Sequence, residues 1–262
     1  MKKKVVPGNE MEVVSVGHGT MTMCIIGESP LICNSMSLKA TKELLLPAGK
    51  KTAAQKKTSL KHDPLREFRA SMVRRREDEN GPTRVLFPAP AFKGAIMTSA
   101  LDIPLPVKKS EIGRLSWVHG QKIDIYGVPQ MFMAVVRNSD INRTPDIRTR
   151  ALFPEWAARV TIKFVEPILT ASLVAQLMEF AGSVCGVGDF RQEKGKGNYG
   201  QFTICGEDDL RFQSIIRNGG MAAQDAAIAD PECHDSETEE LWAFYQEEVR
   251  NRGMDHMLNA SL

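Results

Sequence analysis

No stretch of the 262 residues approaches the roughly 18 uninterrupted apolar side chains that a membrane-spanning helix needs. The start, Met1-Lys2-Lys3-Lys4-Val5-Val6-Pro7-Gly8, has no apolar segment behind its lysines, so neither secretion nor a membrane span is expected, and the expected compartment is a cytoplasm. Cysteine is scarce. The five (Cys24, Cys33, Cys185, Cys205, Cys233) are an odd number with no Cys-x-x-Cys pair, which argues against a disulfide framework and a zinc knuckle and for reduced thiols. Aromatics make up only 6% of the chain (three Trp, three Tyr, eleven Phe, spread throughout), so any nucleic-acid contact is expected to lean on phosphates more than on stacking. Gly-x-Ser-x-Gly, His-Glu-x-x-His and Walker signatures are missing. His62, His119, His234 and His256 lack metal-ligand spacing, and Cys233-His234-Asp235 has no second pair to close a tetrahedral site, so no metal or cofactor is expected.

What is present is an ordinary globular composition, 42% hydrophobic and 25% charged, in a chain long enough for a substantial core. The net charge of +2 hides an asymmetry. Residues 1–205 carry 30 Lys+Arg against 19 Asp+Glu, or +11, and residues 206–262 carry 4 against 13, or −9. Between Lys39 and Arg76, twelve basic residues face only Glu43, Asp63 and Glu67, a field that attracts a polyanion or simply keeps a surface solvated.

Residue patterns predict an α+β chain. Glu10 to Cys33 reads as a bent strand or hairpin broken near Gly17-His18-Gly19. Ser37 caps a short helix to Leu46, and Lys50 to Lys61 has no apolar period. Asp63-Pro64 opens an amphipathic helix with Leu65, Phe68 and Met72 inward and Arg66, Arg69 and Arg76 outward. Thr83 to Phe87 is a short strand and Ala91 to about Leu101 a helix. Strands are expected over 113–118, 121–126 and 128–137, a polar loop with Arg143, Arg148 and Arg150 over 138–156, and a strand over 159–165. Thr170 then caps a helix that Gly182 ends, and 201–205 is a further strand. Beyond Gly206 the chain turns acidic and helical, with Ser236 and Glu239 as a capping box before Leu241, Trp242, Tyr245 and Val249. This gives a basic domain over 1–205 with insertions at about 37–82 and 138–156, followed by an acidic helical extension over 206–262.

Residues 186–200 hold five glycines together with Arg191, Lys194 and Lys196. A dinucleotide loop or P-loop follows a strand and opens a helix, whereas this loop follows a helix and enters a strand. Two readings remain open. One is a loop whose amides and basic side chains cradle phosphates; the other is a tight hairpin with turn glycines.

On that loop and on Phe87-Pro88-Ala89-Pro90-Ala91-Phe92-Lys93-Gly94-Ala95-Ile96, the sequence resembles the RAMP superfamily of CRISPR systems. The second segment is similar to the isoleucine-proline-glycine-serine-serine-leucine-lysine-glycine stretch of backbone subunits that coat guide RNA in class 1 effector complexes. The Lys-Gly pair is kept, and Ala89, Pro90 and Ala91 stand where the family has Gly-Ser-Ser. The resemblance implies a ferredoxin-like (RRM-type) βαβ core and a non-catalytic subunit, bacterial or phage-encoded, that oligomerises along single-stranded RNA with other effector subunits, with DNA as a possible target. It also implies a basic insertion over the guide, for which Lys50, Lys51, Lys56 and Lys57 or the loop with Arg137, Arg143, Arg148 and Arg150 are candidates. Arg66, Arg69, Lys93, Gly188, Arg191, Lys194 and Lys196 complete the expected nucleic-acid contacts.

Some members of that family cut RNA with an aspartate or a histidine. No aspartate precedes Asp63, which already serves as a cap, and His18 between Gly17 and Gly19 is the candidate for a metal-independent nuclease. A self-assembling protein whose basic body meets the acidic segment of the next copy is the rival from another class.

Overall fold

The computed structural model describes residues 3–5, 12–14, 16–36, 41, 45, 60–103, 107–137, 143–194, 197–255 and 258. The expected helix over 37–46 lies outside them except at Thr41 and Leu45, as do Lys50, Lys51, Lys56, Lys57 and Lys196. The fold is α+β. Its strands are β1 Lys3–Val5, β2 Glu12–Val14, β3 Gly17–Gly27, β4 Leu31–Ile32, β5 Val73–Arg74, β6 Val85–Pro88, β7 Ser116–Val118, β8 Lys122–Tyr126, β9 Gln130–Arg137, β10 Pro145–Phe153, β11 Ala157–Glu166 and β12 Phe202–Cys205. The helices are α1 Pro64–Ala70, α2 Ala89–Ser99, α3 Lys109–Leu115, α4 Ala171–Phe180, α5 Leu210–Asn218, α6 Met221–Ala229 and α7 Ser236–Asn251.

Two compact units draw on interleaved stretches. The first takes Met1–Ser29, Phe87–Asp124 and Ala157–Ser214; the second takes Pro30–Leu86, Ile125–Trp156 and Ile215–Leu262. The acidic C-terminal segment is thus divided between them.

In the first unit the strand order is β12-β3-β11-β8, with β7 also on β11. The β3–β11 ladder is antiparallel and runs from Gly17↔Glu166 to Ile26↔Ala157; β3 begins at Gly17 after β2 has ended at Val14, so the expected break falls just before Gly17-His18-Gly19. Alternation along β11 sends Val160, Ile162 and Phe164 into the core and leaves Thr161, Lys163 and Val165 half-buried on the other face. On the core side Ser99 at the end of α2 donates its hydroxyl to the Leu177 carbonyl of α4 at 3.3 Å. The fully buried Phe92 of α2 meets Phe87 at 6.0 Å and Phe202 at 5.9 Å, both edge to face. Burying such a ring is worth about 2–3 kcal/mol.

As expected, Thr170 caps α4 by accepting from the Leu173 amide at 3.2 Å. The helix does not stop at Gly182 but widens into a π-turn over Ala181–Cys185. Gly182 is buried there, where a Cβ would collide with the Phe202 carbonyl. Residues 113–115, expected at the start of the strand over 113–118, belong instead to α3, because the Glu111 carboxylate reaches back to the Lys108 amide at 2.9 Å and holds the first turn.

The second unit holds a sheet of order β4-β10-β9 and the antiparallel pair β5–β6. The segment expected as a loop over 138–156 contains β10, paired with β9 from Pro145↔Arg137 to Leu152↔Gln130. Asp63 caps α1 by accepting from the Arg66 amide at 3.1 Å, with Pro64 in the first turn and Leu65 and Phe68 buried, as expected. The cap of α7 is Asp235, which accepts from Thr238 N at 2.8 Å, rather than Ser236. Thr238 and Val249 are buried, and the Thr238 hydroxyl accepts from the Met133 amide of β9 at 3.2 Å. One face of α7 therefore docks within its own unit.

Gln224 of α6 ties the second unit together. It is fully buried; its Oε1 accepts from the Arg84 and Val85 amides, both at 2.8 Å, and its Nε2 lies within 2.7–3.1 Å of the carbonyls of Ile125, Gly127 and Gly219. All five cysteines are free. Burial pushes the Cys33 thiol up to about 12 and those of Cys185 and Cys205 up to about 11, so they stay protonated and unreactive near neutral pH.

Candidate nucleic-acid interface

In the first unit the glycine-rich loop folds on itself. Val187 donates to the Gly200 carbonyl at 2.9 Å, Tyr199 to the Phe190 carbonyl at 3.4 Å, and Phe190 to its neighbour Asp189 Oδ1 at 3.0 Å. Gly200 has φ +73°, and a Cβ on it or on Gly197 would collide with the backbone of Val187 or Phe190. These glycines are explained by the loop's approach to its own backbone, the hairpin reading. Arg191 closes the turn, donating through Nη1 to the Gly188 carbonyl at 2.9 Å and through Nε to Glu193 Oε2 at 2.7 Å. Gly188 and Arg191 thus hold the loop's shape, and Lys194 is left exposed on its outer side.

The loop is fastened to α2. Thr98 donates its hydroxyl to Glu193 Oε1 at 3.2 Å, and Lys109 Nζ lies 3.4 Å from the same hydroxyl. Burial works against ionising Glu193, but Arg191, Lys194 and Thr98 outweigh it and hold its carboxyl below the usual value. One turn back along α2, on the side of Thr98, lies Gly94. It is exposed, and a Cβ there would meet nothing within 4 Å. Lys93 beside it is half-buried and, like Lys194, makes no ion pair among the described residues. The structure therefore seats Glu193, with its neighbour Lys194, against the Thr98 turn of α2, one turn from Gly94 and its neighbour Lys93. Thr98, Lys109 and Glu193, which join them, carry no signal in the sequence because tertiary packing alone unites them.

In the second unit three of the six expected contacts that are described, Arg69, Arg148 and Arg150, are engaged. Arg69 donates to the carbonyls of Ile228 and Ala229 at the end of α6, both at 3.0 Å. Asp146, buried on β10, receives Lys61 at 2.6 Å and Arg148 at 3.2 Å. His62 lies between two carboxylates, Asp146 at 2.9 Å and Glu67 at 2.8 Å. Burial opposes ionisation of Asp146, but the hydrogen bonds and charges of Lys61 and His62 prevail and hold its carboxyl below the usual value. Arg150 is half-buried and also engaged. Arg66, Arg137 and Arg143 are exposed, the last two at the tip of the β9–β10 hairpin, with Arg143 at φ +46°.

The acidic segment answers part of the basic body within each unit. Arg84 reaches Asp225 at 2.6 Å in the second, and Arg159 reaches Glu207 at 3.0 Å in the first. His18 lies on the exposed end of β3, 5.7 Å from the Trp117 ring, and makes no hydrogen bond among the described residues.

Among the described residues no helix is long and apolar enough to cross a membrane. No protein-family model matches the sequence, and no curated protein matches it. Among solved structures, the crystal structure of Cmr6 from Pyrococcus furiosus is similar at a TM-score of 0.36 and 10% identity, over 73% of this chain and 100% of that one.

Proposed function

We propose that the chain binds single-stranded nucleic acid, RNA in the first instance, through phosphate contacts on the side of the first unit that carries Lys93, Gly94 and Lys194. The observation that carries this reading is the exposed glycine inside α2. A glycine in a helix interior costs about 0.5–1 kcal/mol against alanine, and no atom of the described residues requires its missing Cβ. Close approach of a partner's backbone beside a lysine without an ion pair accounts for that cost, and the outward Lys194 extends the same positive strip.

The finer reading is a non-cleaving, RAMP-like backbone subunit that assembles along guide RNA with further effector subunits. The Lys93-Gly94 motif supports it. So does the strand order β12-β3-β11-β8 with α2 and α4 packed together, the order a ferredoxin-like βαβ core has. His18 is not proposed as a nuclease base, since neither an acid nor a second base lies within hydrogen-bond reach of it among the described residues.

The test is binding of a fluorescent single-stranded RNA across a salt series, with intact RNA length followed in parallel with and without Mg²⁺. Affinity should fall steeply as salt rises while the RNA stays whole. Salt-independent binding would overturn the phosphate reading, and cutting abolished by His18→Ala would overturn the non-catalytic one.

A further inference from the structure

The sheet of the first unit has a second face. Alternation puts Val160, Ile162 and Phe164 on the core side together with Glu166, because a Cβ on Gly19 would meet both the Phe164 ring and the Glu166 carboxylate. The opposite face carries His18, Thr20 and Thr22 of β3, all exposed, with Thr161, Lys163 and Val165 of β11 and Trp117 of β7. Register aligns them: Lys163 stands between Thr20 and Trp117, and Thr161 stands opposite Thr22, their hydroxyls 2.8 Å apart. At the far end the face is closed, where Arg159 lies 5.1 Å from the Phe212 ring and pairs with Glu207. Asp124 of β8 is the acid that shares this face by alternation, and Lys122 the further cation.

Trp117 is the odd member. An indole 36% exposed on β7, the short strand paired with β11, forgoes burial that Ser116 and Val118 on either side of it obtain. The His18 ring lies 5.7 Å from it, at 70° to its plane, and holds the indole in place. An aromatic face, a ring at its edge, a row of threonine hydroxyls and a lysine in register are what an unpaired nucleobase and its phosphate require: a π surface, hydrogen-bonding groups and a cation.

We infer that this open face is a stacking platform for unpaired nucleobases, with Trp117 beneath the base, His18 at its edge and Lys163 at the phosphate. The inference rests on the nucleic-acid reading above and adds a base-contacting surface to the phosphate-contacting strip on α2. His18 thereby has a positioning role.

Two probes of one length separate the surfaces: single-stranded oligoadenylate, and an abasic sugar-phosphate oligomer that offers phosphates without bases. Both are titrated against the full chain, its Trp117→Ala and Trp117→Phe variants, and the Lys93→Glu/Lys194→Glu double variant. Trp117→Ala should lose about tenfold in affinity for oligoadenylate and nothing for the abasic oligomer, at an unchanged melting temperature, with Trp117→Phe in between. Oligoadenylate should quench indole emission in the parent and not in Trp117→Phe. The double lysine variant should weaken both probes alike. If oligoadenylate binds the parent and Trp117→Ala equally well, the platform is wrong and the lysine strip stands. If Trp117→Ala weakens both probes or lowers the melting temperature, the residue is structural and the platform is wrong. If the parent holds neither probe at low salt, both readings fall together.

Discussion

The first unit carries 14 Lys+Arg and the second 20, and they use them differently. In the second unit Asp146 gathers Lys61, His62 and Arg148, the carbonyl end of α6 takes Arg69, and Asp225 takes Arg84. In the first, Lys93, next to a glycine that leaves room, and the exposed Lys194 make no ion pair among the described residues. The density of basic residues along the sequence is highest between Lys39 and Arg76, yet within the described part of that stretch Lys61, Arg69 and Arg75 are occupied with internal partners. A count of charges therefore locates where a polyanion field could arise, and the partners of each charge decide where it acts.

The sharpest division between a structural and a binding unit comes from Gln224. Replacing it by leucine leaves two buried amides and up to three carbonyls without their partner, a loss of about 4 kcal/mol or more. A fall in the urea midpoint of that size is expected, and an effect under 1 kcal/mol would show that the network is redundant.

Asp146→Asn is next, at about 1–3 kcal/mol, because the buried carboxylate accepts from charged groups that asparagine serves poorly. The sign of its pH dependence is fixed. The folded-state carboxyl is held below the unfolded value, so its stabilisation is full above about pH 4 and is lost as the pH falls toward the folded value. Denaturant midpoints should drop over that acid range in the parent and stay flatter in the variant. The same substitution releases Lys61 and Arg148, and tighter oligonucleotide binding by the variant would show that these two ion pairs hold their charge back from a polyanion.

Lys93→Glu with Lys194→Glu should flatten the dependence of binding on salt by roughly 1.4 in log-log slope, for two lost contacts to a single strand, while melting changes little. An unchanged slope would break the contrast between the units. The smallest effect belongs to Gly94→Ala: a gain of about 0.5–1 kcal/mol in stability accompanied by weaker RNA binding. Stability and binding rising together would mean that nothing approaches that turn.

Much of the fold could be read from local chemistry: Asp63-Pro64 and Thr170 opened helices where expected, and the alternation from Arg159 to Val165 lies within β11. The misses share a cause in tertiary partners. Strand β10 was obscured because its inward positions include Asp146 and Thr149, polar residues whose burial depends on the second unit's neighbours. Why Gly19 is a glycine was not legible either, because it lies against the Phe164 ring of a strand about 145 residues away. For the site, Lys93-Gly94 was visible as a motif; Thr98 and Glu193, nearly a hundred residues apart in sequence, could not be. Trp117 did leave a trace, an aromatic at the outward position between two inward ones.

The ladder between β3 and β11 has a consequence for synthesis on the ribosome. Its two strands are separated by about 130 residues, so at typical elongation rates of ~5–20 residues per second β3 waits about 6–26 s for its partner. Its other neighbour, β12, comes later still. During that interval Met21 to Ile26, apolar and β-prone, present two unpaired edges, an invitation to nascent-chain aggregation that trigger-type holdases or a slow codon stretch near residue 157 would relieve or worsen.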